Sequence, residues 1–309
     1  MGPLEREHCV SMLPVWLTVI GSGLLALAAI NVAILALACC EYATSSRKEP
    51  WQRATQVLLA EPGNGRPSII LLHGFGGTPR DFRALAEKLA AQGHRVVVPA
   101  IPEQTSTSFA YRRGHLSAAA YREWVAGLIK DEAAISGAPP MLVGISMGGS
   151  LAAIGAADHT VGKLVLISPY FNLAIGDAWI SRSAHWLRWV LPVVPKVQKA
   201  QINDPDGYRA YATGSYLVSM RAFLRLVELA RIATAKAPDL ALPVLVFASQ
   251  NDAVASFEAT KRLFVGHPQA RMIACNRGNH VLTYDYDREQ IIAETAAFLT
   301  GAPPPEGVD

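Results

Sequence analysis

Four short strings in the 309-residue sequence hold residue types that could do chemistry together. The first is Gly144-Ile145-Ser146-Met147-Gly148-Gly149, which lies between a strand-like apolar run and a helical pattern. A serine at the tip of a sharp strand-to-helix turn needs glycines beside it, because the strained backbone leaves no room for side chains there. The turn thrusts the hydroxyl out of the sheet and sets the backbone N–H of Met147, at a helix N-terminus, towards a developing oxyanion. An ordinary glycine-rich loop is the competing reading of this string.

The second string is His73-Gly74-Phe75-Gly76-Gly77, directly after an apolar run. Taken alone it is equally well a plain turn. Placed ahead of the serine it matches a loop that supplies a second oxyanion donor, the backbone N–H of Phe75. It lacks the Gly-Lys-Ser/Thr of a phosphate-binding loop and the spacing of a dinucleotide site. The third and fourth are Ser249-Gln250-Asn251-Asp252 and Gly278-Asn279-His280, each just past a strand-like run. A serine hydroxyl is a poor nucleophile near neutral pH and needs a base to accept its proton. A histidine suits that task, and a buried carboxylate fixes its tautomer and stabilises the imidazolium. Asp252 as a helix cap and His280 as a surface-loop residue are the alternatives. The order Ser, Asp, His at successive strand ends favours a common site.

With HGFGG, GISMGG, the Gln-Asn-Asp after a strand and the Asn-His-Val-Leu near the C-terminus, the sequence resembles the α/β-hydrolase superfamily. It is most like the carboxylesterase and monoacylglycerol lipase branch, over about residues 57–299. The resemblance implies Ser146 as nucleophile, His280 as base, Asp252 as the orienting acid, and Phe75 and Met147 as oxyanion-hole donors. It implies a serine ester hydrolase that needs no cofactor or metal and acts on a small-molecule ester or lipid. A serine nucleophile argues against the epoxide and haloalkane hydrolases of this fold, which attack with a carboxylate. Acyltransferase, peroxidase-like and C–C bond hydrolase members keep the same three residues, so the motifs leave them open, as they do small non-lipid esters. A membrane-tethered binding protein on an inactive hydrolase scaffold is the reading from another class. The presence of both Ser146 and His280 argues against it.

The elements that must position these residues alternate between strand-like and helical patterns. Strands are expected at 68–72, 95–99, 141–144, 163–168, 244–248 and 271–275, and helices at 81–92, from Ser117 towards Ser136, at 148–157 and at 288–299. That alternation predicts an α/β fold: a mostly parallel sheet with right-handed crossovers, flanked by helices. Residues 51–169 and 242–300 would form this α/β-hydrolase core. Between Ser168 and Val244 no sheet strand is expected, only helices near 179–191 and 219–233, so residues 170–241 read as a helical cap (lid) over the edge where such sheets bind ligands. Trp179, Trp186 and Trp189 interleaved there with Arg182, Arg188, Lys196 and Lys199 suit a membrane interface, or a cap packed on the sheet edge.

The N-terminus departs from the soluble members of the branch. Residues 10–40 contain no Asp, Glu, Lys or Arg, a run of 31 residues. As a helix the run would reach about 46 Å, more than a hydrocarbon core of about 30 Å requires. A single-pass N-terminal transmembrane anchor is the reading taken. A cleaved signal peptide fits less well, because the apolar run is too long and Arg6 sits between two glutamates. Arg47, Lys48 and Arg53 favour a cytoplasmic domain, whereas a signal anchor would export it, so the side of the membrane stays open. Met12 is an alternative start. Twenty-eight Lys and Arg against 25 Asp and Glu give a net charge of +3, with no like-charge block, so no nucleic-acid partner is expected. Cys9, Cys39 and Cys40 lie in or beside the apolar run, which leaves Cys275 alone in the rest and excludes a disulfide there. The histidines are scattered and form no metal-ligand motif. Oligomeric state is not legible.

Overall fold

A computed structural model describes residues 3–58, 65–105, 107–172, 177–196, 201–211 and 215–302, with the side chains of 3–16 and 177–181 left aside. Strands β2 (Ile69–Leu72), β4 (Met141–Ile145), β5 (Leu164–Ile167) and β8 (Val244–Ser249) are buried along their whole length. Continuous apolar runs of this kind belong in a parallel sheet covered on both faces. With β1 (Gln56–Leu58), β3 (Val96–Val98) and β9 (Ala270–Cys275) they form one seven-stranded sheet in the order β1-β3-β2-β4-β5-β8-β9. All neighbours run parallel except β1, a three-residue edge strand antiparallel to β3 that sequence periodicity is too short to reveal.

Alternation along β2 assigns the two faces. Ile70 and Leu72 pack with helices α4 (Ala118–Ser136) and α5 (Met147–Asp158), through Tyr121, Val125, Leu151 and Ile154. Ile69 and Leu71 pack with α3 (Arg83–Ala91) and α10 (Arg288–Thr300), through Leu85, Leu89, Ile291 and Leu299. A period of two across the strand therefore meets a period of 3.6 on each covering helix. Ser117 caps α4 by accepting from Ala120 N at 3.0 Å, as its place before the helical run predicts, and Gly137 ends the helix at φ +70°. The short helix α9 (Phe257–Phe264) covers β8 and β9.

Strand order reverses around β2, which pairs with β3 on one side and β4 on the other. Open α/β sheets bind ligands beyond the strand C-termini at such a switch. The segment between β5 and β8 lies over it. It contains α6 (Asp177–Val190), β6 (Val193–Pro195), α7 (Pro205–Ala210), β7 (Leu217–Ser219) and α8 (Met220–Lys236). One feature differs from expectation: β6 and β7 pair antiparallel as a separate two-stranded sheet. Each is three residues long, so neither carries a readable period. Trp179 and Lys199 fall outside the residues whose side chains are described.

The N-terminal run forms helix α1 (Pro3–Thr44), joined to the core through the short helix α2 (Pro50–Arg53). Residues Leu17–Arg47 are long and apolar enough to cross a membrane, by length and composition. Leu17, Leu24, Leu25 and Val32 are exposed, whereas Ile34 and Ala38 pack against Ala110, Val193 and Leu217. Among the described cysteines, Cys275 is buried, Cys39 and Cys40 are exposed, and all three are free.

The tightest constraint in the core is the crossing of α5 over β2 and β4. A Cβ on Gly148 would lie 1.9 Å from the Leu72 carbonyl oxygen, and one on Gly144 would lie 2.2 Å from that of Gly148. Gly148→Ala is therefore expected to destabilise the chain by about 3 kcal/mol or more, read by denaturant unfolding. A loss below about 0.5 kcal/mol would show that the crossing is looser than described.

Candidate active site

Ser146 stands between β4 and α5 at φ +53°, a left-handed conformation rare for a residue with a Cβ. The surroundings over-determine it. Its N–H donates to Ile167 O at 3.1 Å, and its carbonyl accepts from Ser150 N and Tyr170 N, each at 3.1 Å. The side chain is thereby driven off the end of the sheet. Its Oγ lies 2.9 Å from His280 Nε2, and His280 Nδ1 lies 2.8 Å from Asp252 Oδ2. Ser146 as donor to Nε2 and Nδ1–H as donor to the carboxylate give one consistent neutral tautomer.

Asp252 is fixed from its other oxygen, which accepts from Val254 N and Ala255 N, each at 2.8 Å. The side chains of His280 and Asp252 are only 6% and 3% exposed, so this chain of hydrogen bonds is shielded from water. His280 is held by its backbone: its N–H and that of Val281 donate to Gln201 O at 3.1 and 2.9 Å. Behind it, fully buried Asp285 accepts from Asn279 N at 2.7 Å and from Asn203 N and Asp204 N at 2.8 and 2.9 Å. One carboxylate thus ties the histidine loop to the segment inserted before β8. Asp287 accepts from Gly278 N at 2.7 Å on the same loop.

The loop after β2 closes the other side. A Cβ on Gly74 would lie 3.3 Å from Ser146 Cβ, so the backbone runs against the serine where a side chain would crowd it. Phe75 follows and lines the same cavity as Ser146 and His280. Met147 opens α5, in the first turn, where backbone N–H groups have no intrahelical partner. The structure therefore gathers all five expected site residues, Ser146, Asp252, His280, Phe75 and Met147, around one point. His73 does not join them. Its Nε2 accepts from Ile101 N at 3.0 Å, its Nδ1 lies 2.9 Å from Gly74 O, and burial pushes its pKa down to about 4, so it is a neutral loop brace.

The cavity has a volume of about 230 Å³, and its lining combines apolar side chains, Val194, Val218, Phe223, Leu226 and Val254, with polar ones, Asp81, Lys196, Gln201 and Tyr211. Lys196 Nζ donates to Phe75 O at 3.4 Å. Burial lowers the Lys196 pKa to about 8 against the charge of Asp81. Asp81 Oδ2 accepts from Thr78 N at 3.3 Å, and its other oxygen is buried without a partner among the described residues. Burial pushes this carboxyl up to about 7. Sequence reasoning singled out neither Asp81 nor Gln201 nor Asp285. A buried carboxylate three residues after Thr78 is indistinguishable in sequence from a helix-capping one. Among the described residues no cluster of His, Cys, Asp and Glu is arranged to hold a metal ion.

An inserted segment over a parallel sheet, with a strained serine at a strand–helix turn, defines the class. The chain belongs to the alpha/beta hydrolase family, whose profile matches residues 69–294. A thermostable monoacylglycerol lipase from Bacillus sp. (strain H-257) is 24% identical over 251 residues, covering 76% of this chain and 91% of the relative. Among solved structures, a monoacylglycerol lipase from Paleococcus ferrophilus superposes with a TM-score of 0.67 at 18% identity, covering 81% of this chain and 98% of the other. A soluble variant of the Saccharomyces cerevisiae monoglyceride lipase, bound to a substrate analogue, gives 0.66 at 15%, covering 81% and 92%. At these identities the structural likenesses establish the fold.

The Asp81 pKa carries a stability consequence. Its folded value lies above the ordinary 3.8, so between about pH 4 and about pH 7 the folded chain binds more protons than the unfolded one. The contribution of Asp81 to stability therefore declines as pH rises through that window. Urea unfolding of wild type and Asp81→Asn should give a stability difference, wild type minus variant, that shrinks between pH 4.5 and pH 7.5. An equal difference at both values would contradict the burial argument.

Proposed function

We propose that this chain is a serine ester hydrolase acting on lipid-like acyl esters. The observation that carries the proposal is the shielded hydrogen-bond chain from Ser146 through His280 to Asp252, with Ser146 and His280 lining a cavity of mixed apolar and polar side chains. The lipase and esterase relatives support ester hydrolysis.

In the proposed reaction Ser146 Oγ attacks the ester carbonyl while His280 Nε2 takes its proton. Asp252 holds the imidazole and stabilises the imidazolium that forms. The backbone N–H groups of Phe75 and Met147 receive the tetrahedral oxyanion, with Phe75 braced through its carbonyl by Lys196. Collapse breaks the bond to the alcohol oxygen, which leaves with the proton from His280 and gives an acyl-serine. Water then gives a proton to His280 as it attacks the acyl carbon; His280 returns that proton to Ser146 Oγ as the acyl–oxygen bond breaks, releasing the carboxylic acid and free Ser146. The apolar lining side chains suit an acyl chain, and the polar ones suit a hydroxyl-bearing alcohol.

The surface favours a substrate drawn from lipid. Trp186 and Trp189 on α6 are 79% and 75% exposed, and Arg188 lies 5.2 Å over the Trp189 ring. Asn31 of α1 donates to Val190 O at 3.1 Å, so this face sits beside the apolar helix. Exposed tryptophans with half-buried Arg188 beside them, next to a membrane-competent helix, fit an interfacial face, with α1 as an anchor.

Each buried methylene contributes about 0.8 kcal/mol, roughly a factor of four. For the full chain in detergent, kcat/KM on p-nitrophenyl esters should therefore rise at least about tenfold from acetyl to octanoyl, even if only part of the chain is buried. A preference for acetyl would overturn the lipid assignment. Products analysed with added alcohol should be mainly free acid. Mainly transesterified product would make the chain an acyltransferase.

A further inference from the structure

Glu41 sits in the last turn of α1, just past the apolar run, and its side chain is only 6% exposed. Its carboxylate accepts from Arg113 Nη2 at 2.6 Å, from Ser215 Oγ at 2.9 Å and from Tyr216 N at 2.8 Å. Arg113 is 4% exposed and also donates to Ser108 O and Leu217 O, while its own carbonyl accepts from Ser219 Oγ at 3.0 Å. Both partners of Glu41 beyond Arg113 lie just before β7. The end of the apolar helix is therefore ion-paired to Arg113, which itself donates to Leu217 O, and hydrogen-bonded to the residues that enter β7, while Ile34 and Ala38 pack on the β6–β7 strand pair through Val193 and Leu217.

Val194, Pro195 and Val218 of that strand pair, with Lys196 just after β6, line the cavity at Ser146. Val194 pairs with Val218, and Lys196 N donates to Tyr216 O at 2.8 Å. The path from the helix to the reacting region is short: Glu41 holds the N–H of Tyr216, Tyr216 O holds the N–H of Lys196, and Lys196 Nζ reaches Phe75 O.

We infer that Glu41 is a positioning residue that makes the apolar N-terminal helix a structural part of the substrate pocket, so that α1 shapes acyl selectivity and is not merely a tether. The physical reason lies in the buried pair. Removing one member leaves an uncompensated charge in the interior and is strongly destabilising, whereas replacing both by apolar residues of similar size avoids that charge. Without Glu41, the guanidinium of Arg113 and the N–H of Tyr216 each lose an acceptor, and the β6–β7 strand pair must move to find water. A chain severed between α1 and α2 would have the same defect.

The inference rests on the ester-hydrolase reading for its main readout. Full-length wild type, Glu41→Gln and the double variant Glu41→Met/Arg113→Met are compared in detergent on p-nitrophenyl acetate and octanoate. The readout is the ratio of the two kcat/KM values, which a loss of folded enzyme leaves unchanged because both fall together. Glu41→Gln is expected to lower the octanoate-to-acetate ratio by about fivefold or more. The double variant removes the unpaired charge but still lacks the acceptor for Tyr216 N–H, so it is expected to recover part of that loss. An unchanged ratio in Glu41→Gln would overturn the inference, as would a double variant as impaired as the single one. Should Glu41→Gln fail to accumulate, Glu41→Asp, which keeps the charge but withdraws it by one methylene, enters the same comparison. A wild type that turned over no ester would instead contradict the hydrolase reading. The docking would then be read from Tm, which Glu41→Gln should lower and the double variant restore in part; an unaltered Tm would overturn it.

Discussion

The arrangement rests on one close approach: α5 crosses the ends of β2 and β4 with backbone atoms in contact where side chains would otherwise be. Gly144 and Gly148 permit it, and Ser146 stands at φ +53° because both neighbours are pinned. A serine on a relaxed loop would sample many rotamers and positions, and a base fixed 2.9 Å away would meet it only part of the time. Backbone strain here is offset by the hydrogen bond that Ser146 N–H donates to Ile167 O and by those its carbonyl accepts from Ser150 N and Tyr170 N. The loop after β2 meets the same crossing from the other side, since it is the Leu72 carbonyl that a Gly148 side chain would strike. The same contact that orients the candidate nucleophile therefore also sets the distance to the candidate oxyanion donors.

Around this fixed point the remaining groups hang from elements that are far apart in sequence. Asp252 and His280 come from the ends of β8 and β9, adjacent parallel strands whose register brings Ser249 opposite Cys275. Asp285 and Gln201 fasten the histidine loop to the inserted segment, and Lys196 fastens that segment to the loop after β2. The cover over the site is thus hydrogen-bonded to both sides of the reacting region. The apolar helix extends that network outward through Glu41, so the pocket and the proposed lipid-facing surface belong to one connected structure.

What could be read in the sequence was what is local. Gly-Ile-Ser-Met-Gly, His-Gly-Phe-Gly-Gly and the two residues after strand ends have short-range spacing that encodes turns. The uninterrupted apolar runs at β2, β4, β5 and β8 announce a parallel sheet, and Ser117 announces its helix. The strands β1, β6 and β7 are not legible: each is three residues long and only partly buried, without the uninterrupted apolar run that marks the equally short β3. The pairs Glu41–Arg113 and Gln201–His280 join residues about 70 to 80 positions apart. Lys196 and Phe75 are 121 apart. Nothing in the local pattern at either end marks them. Asp285, a hub of four backbone N–H groups, reads in sequence as one more loop aspartate.

The central claim is that Ser146 is the nucleophile of an ester hydrolase. The most direct measurement is hydrolysis of p-nitrophenyl octanoate by the full-length chain and its Ser146→Ala variant, with a fluorophosphonate probe to count reactive sites. In subtilisin, loss of the nucleophile costs about 2 × 10⁶ in kcat. The account predicts a fall of at least about 10⁴, no probe labelling of the variant, and an unaltered unfolding midpoint. A folded variant that kept a substantial fraction of the wild-type rate, or still took up the probe, would contradict it.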